Sequence, residues 1–476
     1  MKDLLRFTTT GSVDDGKSTL IGRLLFETGV VPEDQYEAVK KSSEKRGHSE
    51  VDLSLLLDGL EDEMAQGITI DVAFRYFETD KRKFIVADTP GHEQYTRNMV
   101  TGASNSDLAI ILIDASQGIM PQSKRHGFIN SMLGISHLIV AINKMDLVDY
   151  DEDTYYKMTE SYKDFSSKLD IQNITFMPIS ALCGDNCVTK SSKMPWYQGP
   201  TVLEKLEEVH VDSYRNLVDF RFPVQCVARV DNFRGFSGKI AAGSIRPGEE
   251  ITVLPSGKKA KVESISTYDG DKQVAFCPQS VTVCLDKEID VSRGDVLSRS
   301  GNLPHVGNCF VAMCCWMDEK ELSLSKQYYI KHSTTTTRFY FNEIVANIDI
   351  NTLHRTDKSI ISLNSLFKAK VETTNDLVFD EYKKNKSTGC FIVIDPDTNN
   401  TIAAGMILKK DNSNDKLKIA KRFVSLMEDM ELLRQEIGID DEILLKASSH
   451  FGGTSIKVCQ PTNEELEKCV DDDLNL

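Results

Sequence analysis

The chain has 476 residues, 40% of them hydrophobic, and a formal net charge of −16. Its length suits roughly two to four domains with ordinary cores, and the acidic balance disfavours broad electrostatic binding to nucleic acid, leaving only a local patch for a tRNA. No apolar run reaches the ~18–20 residues of a membrane-spanning helix, and Met1-Lys-Asp-Leu-Leu-Arg-Phe7 shows no signal peptide but runs straight into a strand pattern.

That first strand, 4–10, is followed by Gly11-Ser12-Val13-Asp14-Asp15-Gly16-Lys17-Ser18-Thr19 and a helical pattern over 17–27. A strand, a G-x-x-x-x-G-K-[ST] loop and a helix make a phosphate-binding unit. Glycines let the backbone curl so that N–H groups converge on the phosphates, and the helix adds its positive N-terminal end. Lys17 is placed to reach the β- and γ-phosphates, and the Ser18 hydroxyl to hold Mg²⁺. The loop specifies a nucleoside triphosphate and leaves the base open.

From Glu27 to Gln66 the chain is polar, with Lys/Glu-rich helical pieces. Before Asp58 this suits a mobile effector region and a plain solvated insertion equally. Gly67-Ile-Thr69-Ile-Asp opens an alternating strand over 68–77, with Ile68, Ile70, Val72 and Phe74 on one face. The Thr69 hydroxyl and backbone could ligate Mg²⁺ and the γ-phosphate, so loss of that phosphate would release the segment. Strand 82–88 ends in Asp88-Thr89-Pro90-Gly91-His92. Asp88 can reach Mg²⁺ through water, and the Gly91 N–H can sense the γ-phosphate. His92 is the candidate to orient the attacking water, with a helix-capping or surface histidine as the plain alternative. Catalysis at such a site is positioning and electrostatics, in which Lys17, Thr69 and His92 share. No arginine finger is assignable, so slow intrinsic hydrolysis raised by a partner is expected.

A helix over 92–104, a strand over 107–114, a helix over 122–133 and a strand over 137–142 follow, the last running into Asn143-Lys144-Met145-Asp146. A carboxylate there accepts two hydrogen bonds from guanine N1 and N2, whereas adenine offers no matching donors. Such a pairing rejects the wrong base by ~10⁴-fold or more. After a helix over 154–169, strand 174–180 ends at Ser180-Ala181-Leu182, a loop placed to give guanine O6 a backbone N–H. A further helix spans 201–209. Four motifs in this order, each at a strand's C-terminal end, fit the edge where open α/β sheets bind ligands. The expected cofactors are GTP and Mg²⁺.

Residues 1–216 therefore read as an α/β P-loop GTPase domain with a doubly wound, mostly parallel sheet. Asp212 to Val218 looks like a linker. From Arg221 the texture changes to short strands and Gly/Pro turns, predicting two β-barrel domains over 219–306 and 307–410. Residues 411–476 read as a C-terminal extension, helical in pattern over Ile419 to Ile437 and acidic at its end, and without a phosphate loop, so no appended kinase is expected. The 11 cysteines are scattered without a C-x-x-C pair, as expected of reduced, mostly buried thiols in a cytoplasmic protein. Cys183 and Cys187 have metal-ligand spacing, but no second ligand pair follows.

The motif order and the α/β-barrel-barrel layout resemble the translation-factor class of GTPases. Finer segments are similar to the GTPase subunit of bacterial sulfate adenylyltransferase: Asp58 to Phe77, Pro90 to Ser104, Arg234-Gly-Phe-Ser-Gly238, Val345 to His354, Thr388 to Asp395, and Ala404 to Ile407. The resemblance covers roughly residues 5 to 410. Within the phosphate loop, Asp15 stands where elongation factors commonly carry histidine, and Ser18 where they carry threonine. The chain departs from the family at Ser333, usually glycine, at Ser362-Leu-Asn-Ser-Leu-Phe-Lys368, and beyond 411. The resemblance implies GTP contacts at 11–18, 88–92 and 143–146. It also implies that GTP hydrolysis drives formation of adenosine 5′-phosphosulfate and diphosphate from ATP and sulfate, on a smaller ATP-using catalytic subunit, in a heterodimer or higher assembly. The alternatives are an elongation-factor-like GTPase that delivers aminoacyl-tRNA, against which the finer segments and acidic balance speak, and a GTPase scaffold with no coupled reaction, suggested only by the tail.

Overall fold

The computed structural model describes residues 3–45, 51–57, 69, 71–169, 171, 173–210, 216–230, 233–349, 355–356 and 360–412. Expectations for Asp58 to Ile68, for Ile70, for 350–354 and for the tail beyond 412 lie outside the described residues.

The N-terminal domain runs β1 (Asp3–Gly11), α1 (Lys17–Glu27), α2 (Glu33–Lys45), β2 (Ala73–Glu78), β3 (Arg82–Asp88), α3 (Thr96–Ser104), β4 (Leu108–Asp114), α4 (Pro121–Met132), β5 (His137–Asn143), α5 (Glu152–Ser166), β6 (Asn173–Pro178) and α6 (Val202–Glu208). The six strands lie in the order β2-β3-β1-β4-β5-β6. All neighbours are parallel except β2, which runs antiparallel to β3. Strands covered on both faces must be apolar along their whole length, and all seven residues of β4 are buried. Leu20 and Leu24 of α1 and Leu206 of α6 pack on one face with Phe7, Phe84 and Val86. Met99, Ile129 and Tyr162 of α3, α4 and α5 pack on the other with Ile111 and Val140. Local chemistry sets the ends: Pro121 opens α4, Asp151 caps α5 through Thr154 N, and Thr201 with Glu204 forms a capping box on α6.

Two expectations need correction. β2 covers 73–78 rather than 68–77, with Thr69 and Val72 outside it. Thr69 lies instead beside Ser18, with the two hydroxyl oxygens 3.4 Å apart. Phe74 is exposed, and Phe77 is the residue that buries against Phe84. The helix expected over 92–104 begins only at Thr96, after a short 3₁₀ turn over Glu93–Tyr95.

Two closed barrels follow. In the first, Glu250–Leu254, Val296–Arg299, Arg221–Val230, Phe233–Lys239, Ser280–Leu285 and Lys258–Thr267 pair in that order, and the last returns to the first. In the second, Tyr328–His332, Cys390–Ile394, Thr401–Lys410, His305–Trp316, Leu366–Phe379 and Thr335–Ile348 close likewise. Closure removes the unpaired edges that an open sheet would expose. Ser333, in the turn between two of these strands, has φ 49°, and Asn364 has φ 64°. Glycine reaches that region at no steric cost and asparagine at a small one, which explains why glycine suits position 333.

A buried ion pair joins the barrels. Arg221 Nε and Nη2 meet Asp380 Oδ2 and Oδ1 at 2.9 and 3.0 Å. Thr388 Oγ1 donates to Asp380 Oδ2 at 2.7 Å, and Arg221 Nη1 donates to Asn302 O at 2.9 Å. The second barrel also packs on the GTPase domain. Cys315, Met317, Leu366 and Met406 share a core with Ile129 and Leu133, and the Tyr382 hydroxyl donates to Leu133 O at 2.9 Å.

Truncating one partner of a buried pair leaves the other charge uncompensated, at a cost of ~3–5 kcal/mol. Arg221→Ala should lower stability by about that much in urea unfolding. A loss below ~1 kcal/mol would show that the pair is not a principal tie between the barrels.

Candidate functional site

A cleft of about 570 Å³ opens at the C-terminal ends of the parallel strands. Its walls carry Val13, Asp14, Gly16, Lys17, Ser18 and Thr19 from the first loop, and Thr69, Gly91 and His92. Asn143, Lys144, Asp146, Leu147, Ala181 and Leu182 line its other end. The sequence motifs, spread over 170 positions of chain, thus meet in one place. The helix start is fixed by Gly16, at φ 89° and ψ 31°. A side chain there would be strained and would strike Asn143 Nδ2 at 2.4 Å.

Lys17 is buried, and Nζ donates to Ser12 O at 2.6 Å and Gly11 O at 3.4 Å. Burial pushes its ammonium below the usual lysine range, opposed by Asp15, Asp88 and Asp14. Gly91 lies against this knot: a Cβ on it would sit 2.4 Å from Lys17 Nζ and 2.8 Å from Ser12 O. The D-x-x-G glycine is therefore required by the close approach of two loops. Asp15 is also buried. Its Oδ2 accepts from Ser12 N at 2.5 Å, and burial pushes its carboxyl up to about 6 against the opposing charge of Lys17.

Three oxygen donors converge beside Lys17. Ser18 Oγ donates to Asp88 Oδ2 at 3.1 Å and lies 3.4 Å from Thr69 Oγ1, while Thr9 Oγ1 reaches Asp88 Oδ1 at 3.5 Å. Two hydroxyls and a carboxylate form a hard-oxygen set of the kind Mg²⁺ takes. Thr89 Oγ1 donates to Thr9 O, which fixes the turn that carries Pro90 and Gly91. His92 is exposed at the cleft, with Nδ1 accepting from Gln94 N at 3.3 Å and its ring beside Tyr95.

At the other end, Asn143 is the central tie. Its Nδ2 donates to Asp15 O at 2.7 Å, and its Oδ1 accepts from Ala181 N at 2.9 Å. Ala181 N–H, one of the donors expected for a base, is thus held by the asparagine. Lys144 has φ 61° and pairs through Nζ with Asp114 Oδ2 at 2.8 Å. Burial would raise Asp114, but its hydrogen bonds to Lys144 and Ser116 outweigh this and hold it below the usual carboxylate range. Met145 is buried in the core beneath, and Ser180 Oγ donates to Asp146 Oδ1, aiming that carboxylate.

Sequence reasoning missed three features. His126 of α4 is fully buried, and its Nδ1 accepts from Gly11 N at 3.0 Å. Burial, with the charges of Lys17 and Arg125, pushes it down to about 3, so the imidazole is neutral and can accept. No local pattern marks it. Asp114 ends β4 as Asp88 ends β3, and the strand-end rule could have found it. Asp52, Ser54 and Leu55 form part of the cleft wall on a 3₁₀ turn (Leu53–Leu56). There Asp52 Oδ1 accepts from Ser54 N and Oγ, and Ser43 Oγ accepts from Asp52 N. The nine described cysteines are all free thiols, and no group of three or more His, Cys, Asp or Glu side chains placed to hold a metal ion occurs among the described residues. No helix among the described residues is long and apolar enough to cross a membrane.

Fold and cleft together define a P-loop GTPase of the translation-factor class. Residues 2–219 match the elongation factor Tu GTP binding domain, and 309–408 match the GTP-eEF1A C-terminal domain-like family. Curated relatives carry the description further. The chain is 50% identical over 445 residues to sulfate adenylyltransferase subunit 1 of Bacteroides fragilis, covering 93% of this chain and 92% of that one. It is 54% identical over 410 residues to subunit 1 of Alteromonas mediterranea, covering 86% and 87%. A bifunctional enzyme CysN/CysC of Rhodopirellula baltica is 52% identical over 414 residues, 86% of this chain and 64% of that protein. The chain belongs to the sulfate adenylyltransferase subunit 1 family.

Asn143→Ala would release the Asp15 carbonyl and Ala181 N–H together, each worth ~1 kcal/mol or more when buried. Guanine nucleotide affinity should fall by roughly 10-fold or more in a fluorescence titration, with thermal stability reduced much less. Undiminished affinity would show that the two loops hold their spacing without it.

Proposed function

We propose that the chain is the GTPase subunit of a heteromeric sulfate adenylyltransferase. It hydrolyses GTP so that a smaller, ATP-using partner can convert ATP and sulfate to adenosine 5′-phosphosulfate and diphosphate, the entry step of sulfate assimilation. The observation that carries this reading is the meeting of Ser18, Asp88 and Thr69 beside Lys17 and Gly91, in a chain about half identical to proteins named as that subunit. The names of these relatives favour it over aminoacyl-tRNA delivery.

The phosphate loop, Gly11 to Thr19, cradles the phosphates with its N–H groups, and Lys17 neutralises charge on the β- and γ-phosphates. Ser18, Thr69 and Asp88 would hold Mg²⁺, which supplies further charge neutralisation at the γ-phosphate. Asp146, aimed by Ser180, accepts from guanine, Lys144 and Leu182 flank the base, and Asn143 sets the distance from base to phosphates. Thr69, with Asp88 to His92, reads the γ-phosphate, and His92 orients the water that attacks it. Phosphate loss frees these segments, and the partner's reaction is driven only as far as its states discriminate between the two forms.

The deciding assay mixes both purified subunits with ATP, sulfate and Mg²⁺. GTP should raise the yield of adenosine phosphosulfate, and a non-hydrolysable analogue should not sustain it. A yield indifferent to GTP would sink the proposal. Asp146→Asn should weaken GTP by roughly 10²-fold or more while favouring xanthosine triphosphate, as read by competition binding; intact guanine preference would place the base elsewhere. His92→Ala should cut hydrolysis by ~10²-fold with little change in GTP affinity, since water positioning matters in the transition state. Parallel loss of both in single-turnover kinetics would instead mean a structural histidine.

A further inference from the structure

Asp15 places a buried carboxyl inside the curl of the phosphate loop. It is 2% exposed, and its Oδ2 reaches across the curl to Ser12 N. A loop that gathers N–H dipoles and a lysine around an anion thus encloses an anionic group of its own. Lys17 faces it from the start of α1, Asp114 from the end of β4 and Lys144 from beyond β5. Lys144 is already paired with Asp114, and Lys17 is bonded to carbonyl oxygens. Neutral His126, from α4, meets the loop at Gly11 and adds no charge. Asp15 therefore has no cation to itself.

We infer that Asp15 is a positioning residue with two opposed effects: its hydrogen bond to Ser12 holds the loop curled for a nucleotide, while its charge opposes the phosphates, so guanine nucleotide binds most tightly when Asp15 is protonated. The inference rests on the reading of the cleft as a guanine nucleotide site. Burial already holds this carboxyl at about 6, and Lys17 is the main group that opposes the rise. Phosphates drawn to Lys17 engage that cation and add like charge, and both changes raise the carboxyl further. A group whose pKa is higher in the complex than in the free protein takes up a proton on binding. Affinity then climbs as pH falls through the pKa of the complex and levels off below that of the free protein. A shift of one pKa unit corresponds to tenfold in affinity. At neutral pH and above, the charge loosens the hold on the diphosphate product, which favours its release.

The test is fluorescence titration of the full chain with a methylanthraniloyl derivative of GDP and Mg²⁺, from pH 5.5 to 8.5. Asp15→Asn keeps an acceptor for the Ser12 N–H and removes the charge. It should bind about tenfold tighter than wild type at pH 8, and the ratio of the two affinities should shrink towards one at pH 5.5. Taking that ratio cancels ionisation of the nucleotide's own phosphates. Asp15→Ser, a second uncharged acceptor, should behave alike should the asparagine variant fold poorly. Asp15→Ala, with no acceptor, should bind more weakly than Asp15→Asn at every pH. An Asp15→Asn affinity no greater than wild type at pH 8, or a ratio independent of pH, overturns the inference while leaving the nucleotide site intact. Wild-type protein that binds no guanine nucleotide at any pH overturns both.

Discussion

One side-chain amide fixes the cleft. Asn143 is nearly fully buried, and it spends its donor on the phosphate loop and its acceptor on the loop after β6. An amide buried without partners would be expensive, so both loops are held where the amide can reach them. The spacing between the phosphate loop and the loop after β6 follows from the size of one asparagine. Around it, Asp146 is aimed by Ser180, Lys144 is drawn to Asp114, and Gly16 stays bare because the amide occupies the space a Cβ would take.

The parts of this site that could be read from sequence are those whose chemistry is local. The curl of Gly11 to Ser18 and the run of α1 over 17–27 depend on neighbours in the chain, and the expected and observed bounds of α1 agree. β3 and β5 were legible because each is a largely apolar run ending in a motif. What escaped notice depends on partners distant in sequence. His126 acts on Gly11 from 115 positions away, and its burial against charged neighbours has no local signature. The early start assigned to β2 had a different cause. Alternating apolar residues continue upstream of the strand in sequence, whereas Thr69 lies beside Ser18, its hydroxyl 3.4 Å from the serine's, and pairing begins only at Ala73.

The barrels show the same division. Their texture was legible from short strands and turns, whereas their joint was not. Arg221 and Asp380 lie 159 positions apart, and neither belongs to a recognisable pattern. A buried bidentate pair, supported by Thr388 and Asn302, selects one relative placement, because any other leaves a charge uncompensated.

Tyr382 anchors the second barrel to the carbonyl of Leu133, immediately after α4. α4 carries His126 on its buried side, and Asn130 Nδ2 from the same helix donates to Thr10 Oγ1 at 3.2 Å. A helix of 12 residues is a stiff rod of ~18 Å. One end of this rod bears the second barrel, and its flank bears the root of the phosphate loop. Tyr382 of the second barrel and the root of the phosphate loop at Thr10 and Gly11 are thus joined through one short helix, although they are far apart in the chain.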